Sequence, residues 1–408
     1  MSTSAADVTA DHVSRYVWIK KGTAEYKQAG LALFLAGFAS FSLIYCVQPL
    51  LPDFALGFNI SPAQSSLALS LTTVCLALAI LLASAFSQAV GRRGLMFVSM
   101  LLAAVLNVAA AAAPDWHFLL VARALEGFVL GGVPAVAMAY LAEEIEPPQL
   151  AKAMGLYIAG TAFGAMMGRV GMGLLTGLMS WNMALAIWGG LCMLAAVGFI
   201  VLLPPSRNFV RQPGINVGFH VNAWRRHVQN LAMLRVYAIG FVITSIFVTI
   251  FNYATFRLTA APYQLNQTEI SLIFLLFGCG VVVSSVYGSL AKRFGGGSLL
   301  IASFIISLLG IGLTLFGALI AVLAGMALVT IGFFTGHSAA SSAVGPLAKH
   351  AKGHASSLYL LFYYLGASVT GTLGGWFWQQ GGWQAVTLLT VMLLLPGLAL
   401  AWCSRKSP

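Results

Sequence analysis

Three charged residues interrupt stretches that are otherwise apolar: Arg123 and Glu126 in "LLVARALEGFVLGG", and Arg169 in "GAMMGRVGMG". On a helix, residues three apart are neighbours, so Arg123 and Glu126 can pair. A buried carboxylate can also exchange a proton, its affinity raised by burial and lowered by nearby cations. Two arginines beside one acid leave positive charge over, which a carboxylate or phosphate could use. The acids are few enough to sort by elimination. Asp7, Asp11 and Glu25 precede the first apolar run, while Asp115, Glu143, Glu144, Glu146 and Glu269 fall between runs. Asp53 closes the first run after "YCVQPLLP", which makes it the second candidate for proton exchange. Glu126 alone lies well inside a run.

The elements that must position these residues follow from composition. Of 408 residues, 60% are hydrophobic and 8% charged, against about 25% charged in soluble proteins. Runs of the roughly 20 apolar residues that span a bilayer recur at about 29–50, 64–87, 94–113, 116–141, 153–178 and 183–203. They resume at about 236–258, 269–290, 298–319, 321–344, 354–378 and 384–403. Twelve spanning helices are expected, since a span must satisfy its own backbone and these runs lack barrel-like alternation. Residues 1–28 carry no compact apolar core with a cleavage site, so they read as a polar tail rather than a removable signal.

Charge placement predicts orientation. Of the 21 Lys and Arg residues, eighteen fall in the tails or in the loops that share their side of the membrane. They include Arg15, Lys20, Arg92, Arg93, Lys152, Arg211, Arg225, Arg226, Lys292, Arg293, Lys349, Arg405 and Lys406. Arg257 alone falls on the other side. The positive-inside rule therefore puts both termini in the cytoplasm, and the net charge of +11 reports topology rather than a nucleic-acid partner. The five cysteines are scattered through the runs without CxxC spacing, which suits small-residue packing. No P-loop, HExxH, GxSxG or metal-ligand cluster occurs, which argues against an ATP-driven pump, a membrane hydrolase or any other enzyme, and no cofactor or metal is expected.

A polar stretch from Leu203 to Val236 divides the runs six and six. The expected organisation is a tail (1–28), a six-helix half (29–203), a linker (204–235) with a short surface helix near Val221 to Leu231, a second half (236–403) and a short tail (404–408). The halves echo one another. At a constant offset of 202, Leu156-Tyr157 match Leu358-Tyr359, Gly164 matches Gly366, Gly173 matches Gly375 and Trp181 matches Trp383. Likewise "SAFSQAVGRRG" from Ser84 matches "GSLAKRFGGGS" from Gly288. Such repeats are typical of secondary transporters, whose substrate site lies between them near the membrane midplane.

At these residues the chain resembles the major facilitator superfamily, and within it the twelve-helix drug:proton antiporter-like efflux branch. The loop after helix 2 in that family reads roughly G-x-L-x-D-R-x-G-R-R. This chain keeps Gly91, Arg92 and Arg93, but has Ser84, Gln88 and Ala89 where the family has glycine, aspartate and arginine. The matching loop keeps Arg293, with Lys292 in place of the acid. The resemblance implies a gating role for Gly91, Arg92, Arg93, Lys292 and Arg293, through a latch that must differ here because both acids are absent. "RALEG" looks like the family's helix 4 motif R-x-x-Q-G, with Glu126 in the glutamine position. "GAMMGRVGMG" resembles the antiporter motif G-x-x-x-G-P-x-x-G-G, with Arg169 where proline is usual. Gly164, Gly168, Gly171 and Gly173 would let helices pack closely.

Depth brings the charges together. At 1.5 Å per residue, Glu126 lies ~15 Å below one membrane boundary and Arg169 ~14 Å below the same one. A cluster of Arg123, Glu126 and Arg169 is expected. It could be a permanent brace between helices, or a site where Glu126 carries a proton. The resembled fold would line its cavity with Gln48, Asn252, Tyr253 and His337, and Tyr359, Tyr363 and Tyr364 add hydroxyls on helix 11. The expected function is secondary active transport of a small molecule across a bacterial inner membrane by a monomer, with proton-coupled efflux implied by the resemblance. Proton-linked uptake or facilitated movement of a small organic anion is the alternative within transport. A non-transporting membrane sensor or scaffold is the alternative outside it.

Overall fold

The computed structural model describes residues 17–209, 217–348 and 350–404. Asp7, Asp11, Arg15, Arg211, Lys349, Arg405 and Lys406 lie outside them, as do the side chains of Ser84, Gln88 and Ala89. The first half is built from α1 (Ala24–Tyr45), α2 (Leu51–Gly57), α3 (Pro62–Val90), α4 (Arg92–Ala111), α5 (Trp116–Leu130), α6 (Pro134–Glu144), α7 (Pro147–Thr176) and α8 (Trp181–Leu202). The linker holds α9 (Val217–Gln229). The second half contains α10 (Leu231–Thr259), α11 (Gln267–Ile273), α12 (Phe277–Phe294), α13 (Gly296–Thr314), α14 (Leu319–Leu347) and α15 (Lys352–Ser404). No strand is present among the described residues.

Ten segments are long and apolar enough to cross a membrane. One of them, α15, holds two spans, because Gly381 and Gly382 leave the helical region and reverse the chain. One further span is shared by α5 and α6, which are too short singly. Twelve spans result, in two six-helix bundles related by pseudo-symmetry. Side chains such as Leu194, Val201, Val282, Leu309 and Ile320 are exposed on the outer surface, the apolar coat that lipid would cover.

Three spans are interrupted, two of them at proline or glycine. Pro49 has no N–H to continue α1, so the chain passes through a 3-10 turn (Gln48–Leu50) before α2. Gly131, Gly132 and Pro134 separate α5 from α6. A second 3-10 turn, Phe274–Leu276, joins α11 to α12.

The repeat seen in the sequence is also a repeat of contacts. A Cβ on Gly164 would stand 2.3 Å from the Phe38 carbonyl of α1, and one on Gly366 would stand 2.2 Å from the Phe241 carbonyl of α10. Gly173 presses on Ser271 of α11, whereas Gly375 presses on Ala63 of α3, so each half sends its equivalent glycine into the other. The turns at Gly91 and Gly295 both have positive φ, 101° and 80°, a backbone region open to glycine.

The end of the bundle that carries the linker and the turns at Gly91 and Gly295 is called here the linker end, and the opposite one the distal end. Between described residues, the side-chain hydrogen bonds that cross between the halves lie in the distal part. They join Gln267 to Asp53 and to the Pro49 carbonyl, Thr73 to Ser368, Thr372 to Ser70, and Gln48 to Asn252. The distal end is shut.

Candidate functional site

The Arg123–Glu126 pair is completely buried inside the first half. Glu126 Oε2 accepts from Arg123 Nη1 at 2.6 Å. The same guanidinium donates to the carbonyls of Leu43 (3.1 Å), Ile44 (2.8 Å) and Ala68 (3.2 Å), and to Asn107 Oδ1 (3.5 Å). The break before Pro49 explains why those acceptors exist: the last turn of α1 has carbonyls with no helical successor, and Arg123 collects two of them. Arg123 thus ties α5 to α1, α3 and α4. Glu126 is less well supplied, since its Oε1 has no partner among the described residues.

Arg169 is not part of this pair, which corrects the three-residue cluster expected from depth. Gly160, Gly164 and Gly168 form the face of α7 that packs on the α1 backbone. Arg169 follows Gly168 by one position, about 100° around the helix, and its side chain leaves the bundle interior for the seam between the halves. There Nε donates to Gln48 Oε1 at 2.5 Å, and Nη1 donates to the Ala165 carbonyl. The guanidinium stands 4.0 Å from the ring centre of Tyr45, 4.6 Å from Phe277 and 5.5 Å from Phe274, the last two supplied by the second half. No described carboxylate bonds it, and Nη2 has no acceptor among the described residues. Arg169 is 2% exposed, so this is a buried cation held by rings and amides rather than by a counter-ion.

From Arg169 the amides run in one direction. An arginine only donates, so Gln48 must accept through Oε1 and donate through Nε2. That Nε2 reaches Asn252 Oδ1 of α10 at 2.6 Å. Asn252 is then left with Nδ2, a buried donor with no partner among the described residues. Both ends of the chain, Arg169 Nη2 and Asn252 Nδ2, offer hydrogens and lack acceptors.

The remaining expected cavity residues divide. His337 Nδ1 and Tyr359 Oη share a 2.9 Å hydrogen bond, with His337 stacked on Phe333 and close to Tyr363. These rings form one aromatic wall in the second half, near Tyr364. Tyr253 is committed to packing: its hydroxyl donates to the Gly371 carbonyl at 2.5 Å. Asp53 is remote from the Arg123 pair and accepts from Gln267 at the distal seam. Gly168 packs on the Ser42 backbone and Gly171 on the Trp188 ring.

Both arginines of the loop after α3 bond groups of the first half. Arg92 pairs with Glu143 at 2.6 Å and lies over Phe209, while Arg93 donates to the Ile200 carbonyl at 2.5 Å. Lys292 and Arg293 are exposed, with Arg293 over Phe294. Sequence reasoning passed over the Tyr45, Phe274 and Phe277 cage, and the Ser70, Thr73, Ser368 and Thr372 hydroxyls that bond across the seam. The hydroxyls had a legible signal: pairs three or four residues apart in otherwise apolar helices.

Comparison with known proteins places this geometry in context. Residues 33–367 match the sequence profile of the Major Facilitator Superfamily. The chain is 41% identical over 390 residues to the uncharacterized MFS-type transporter YybF of Bacillus subtilis, covering 96% of each. It is also 41% identical over 391 residues to the inner membrane transport protein YnfM of Escherichia coli, covering 94% of this chain and 93% of the relative. Among solved structures, a bacterial homolog of the human lysosomal transporter Spinster, in an inward-facing and occupied conformation, superposes with a TM-score of 0.78 at 13% identity. That match covers 95% of this chain and 98% of the other.

Proposed function

The chain belongs to the major facilitator superfamily of membrane transporters, and from that premise we propose that it moves a small molecule bearing an anionic group, by proton-coupled alternating access. The observation that carries this reading is the donor-only chain at the seam. Among the described residues, Asn252 Nδ2 is a buried donor without a partner, and Arg169, from the other half, has hydrogen bonds only to Gln48 and the Ala165 carbonyl and none to a carboxylate. A carboxylate or phosphate reaching the seam would find donors on both halves, and charge-assisted hydrogen bonds are the stronger kind. The aromatic cage and the His337, Tyr359 and Tyr363 wall suit the apolar body of such a molecule.

Alternating access would rock the half at 29–203 against the half at 236–403. In this reading both termini and the linker end face the cytoplasm of a bacterial inner membrane, and a monomer suffices. The shut distal seam then corresponds to an inward-facing state. Glu126, whose Oε1 is unused, is the proposed proton site, with Arg123 as the brace that holds it. Asp53 is the second proposed proton site, at the distal gate. The glycines on α7 favour export in exchange for protons. Arg169, standing where that pattern has proline, favours the second reading, proton-linked uptake of an organic anion.

Purified protein in proteoliposomes under an imposed pH gradient tests the proposal. Carboxylates or phosphates should be carried in preference to their neutral amides or esters, and the gradient direction that drives accumulation distinguishes export from uptake. Arg169→Ala should lower transport of the anion by roughly 10- to 150-fold, the equivalent of one lost charged hydrogen bond of about 1.5–3 kcal/mol. Transport of a neutral analogue should change far less. Equal losses for both would remove Arg169 from substrate recognition.

A further inference from the structure

The linker helix α9 is fastened to the second half by aromatic and imidazole contacts. His220 Nδ1 and His354 Nε2 are 2.8 Å apart, the two rings stack, and Trp224 lies against His354. Two cavities open beside this anchorage. The first, of about 400 Å³, is lined on its polar side by Asn222, Arg226, His227, Asn230 and His350. The second, of about 330 Å³, is walled mostly by apolar residues, including Val236, Ile239 and Leu300, and carries Arg235. Leu347 lines both, so they are neighbours across one side chain. Among the described residues, neither lining contains an aspartate or glutamate.

We propose that the two cavities form one site for an anionic phospholipid of the surrounding bilayer. Its phosphate is held by Arg226, His227 and His350, and an acyl chain enters the apolar slot beside Arg235. The chemistry matches on three counts. Arg226 supplies a permanent charge and planar donors suited to phosphate. Asn230 spends its Oδ1 capping α10, where it accepts from the N–H groups of Ala232 and Met233, so its remaining amide group is a donor. Val221 and Val228 are exposed on one face of α9, opposite the cavity-lining Arg226, and Leu231 is exposed at the start of α10, the pattern of an amphipathic segment lying in a membrane interface. Basic pockets between spanning helices are suited to anionic headgroups. A lipid seated here bridges α9 to the α14–α15 connection and fixes the linker on the second half. The proposal does not depend on the substrate or the direction of transport.

Native mass spectrometry and thermal unfolding of the full chain in detergent, with phosphatidylglycerol, phosphatidylcholine or inorganic phosphate added, test it. Phosphatidylglycerol should remain bound and raise the unfolding midpoint. Phosphatidylcholine at the same concentration should do neither. The variant Arg226→Gln/Arg235→Gln should retain phosphatidylglycerol at least five-fold less while its midpoint in phosphatidylcholine is unchanged. If that midpoint falls, Arg226→Gln alone, at an exposed position, provides the same comparison. Equal retention of the two lipids, undiminished retention in the variant, or the same protection from inorganic phosphate alone would each overturn the proposal.

Discussion

Replacing Gln48 with methionine keeps the side chain's length and removes both of its hydrogen bonds. In the closed distal seam the change leaves Arg169 Nε without its 2.5 Å acceptor and Asn252 Oδ1 without its 2.6 Å donor. Leaving a buried polar group unmade costs about 1–3 kcal/mol. Taking the lower bound for each of the two groups, the closed form loses about 2 kcal/mol. An open distal seam admits water to the same groups and loses much less. The equilibrium should therefore move toward the distal-open form by roughly 30-fold, since each 1.4 kcal/mol is a factor of ten.

Ser271→Cys provides the readout, because Ser271 is buried against Gly173 when the seam is shut. Its alkylation by a membrane-impermeant maleimide, followed by mass spectrometry of the peptide, reports opening. Gln48→Met should accelerate labelling by an order of magnitude or more. Adding Asn252→Leu removes the stranded acceptor together with its unpaired Nδ2, and replacing both partners of a buried bond can be nearly neutral. Labelling of the double variant should fall back toward the parent rate. Equal rates in the parent and in Gln48→Met, or a double variant more open than the single, would refute the view that this amide chain latches the distal seam.

Two further outcomes are expected in the first half. Arg123→Met should lower stability by about 3–5 kcal/mol, the usual penalty for stranding one partner of a buried ion pair, seen as a reduced unfolding midpoint in detergent. Arg123→Met/Glu126→Leu should recover part of that loss, and no recovery would mean that Arg123's carbonyl contacts, rather than the pair, carry the effect. Glu126→Gln should preserve substrate exchange between the two sides of a proteoliposome and abolish accumulation driven by a pH gradient. Gradient-driven accumulation at the parent level would exclude Glu126 as the proton site.

Much of the architecture was legible because lipid imposes a coarse rule that hydropathy reads directly. The twelve spans and the polar linker follow from runs of apolar residues and one long interruption. The helix breaks were written in the sequence as well, in Pro49 and in Gly131, Gly132 and Pro134, but an apolar run does not reveal that its helix stops midway. The charged site was only half legible. Arg123 and Glu126 are three residues apart, so their pairing is a local property of one helix. For Arg169, residue count gives an expected depth but no direction, because the direction of the side chain depends on which face the glycines pack. The Gln48–Asn252 bond joins residues 204 positions apart, and no local pattern announces it.

The two halves share their packing and differ at the site. Under the offset that aligns Gly164 with Gly366 and Gly173 with Gly375, Arg169 aligns with Gly371. At that position the second half has no side chain, and a Cβ there would come within 3.3 Å of Asn252 Nδ2. One half therefore contributes a guanidinium to the seam, while the other has a glycine that lets Asn252, Val248 and Ser70 close around it. A symmetric pair of arginines would place two buried cations against each other. A symmetric pair of glycines would leave the seam without a buried charge. The shared glycines account for the helices that pack alike, and the divergence of this one position accounts for a seam with a charged side and a close-packed uncharged side.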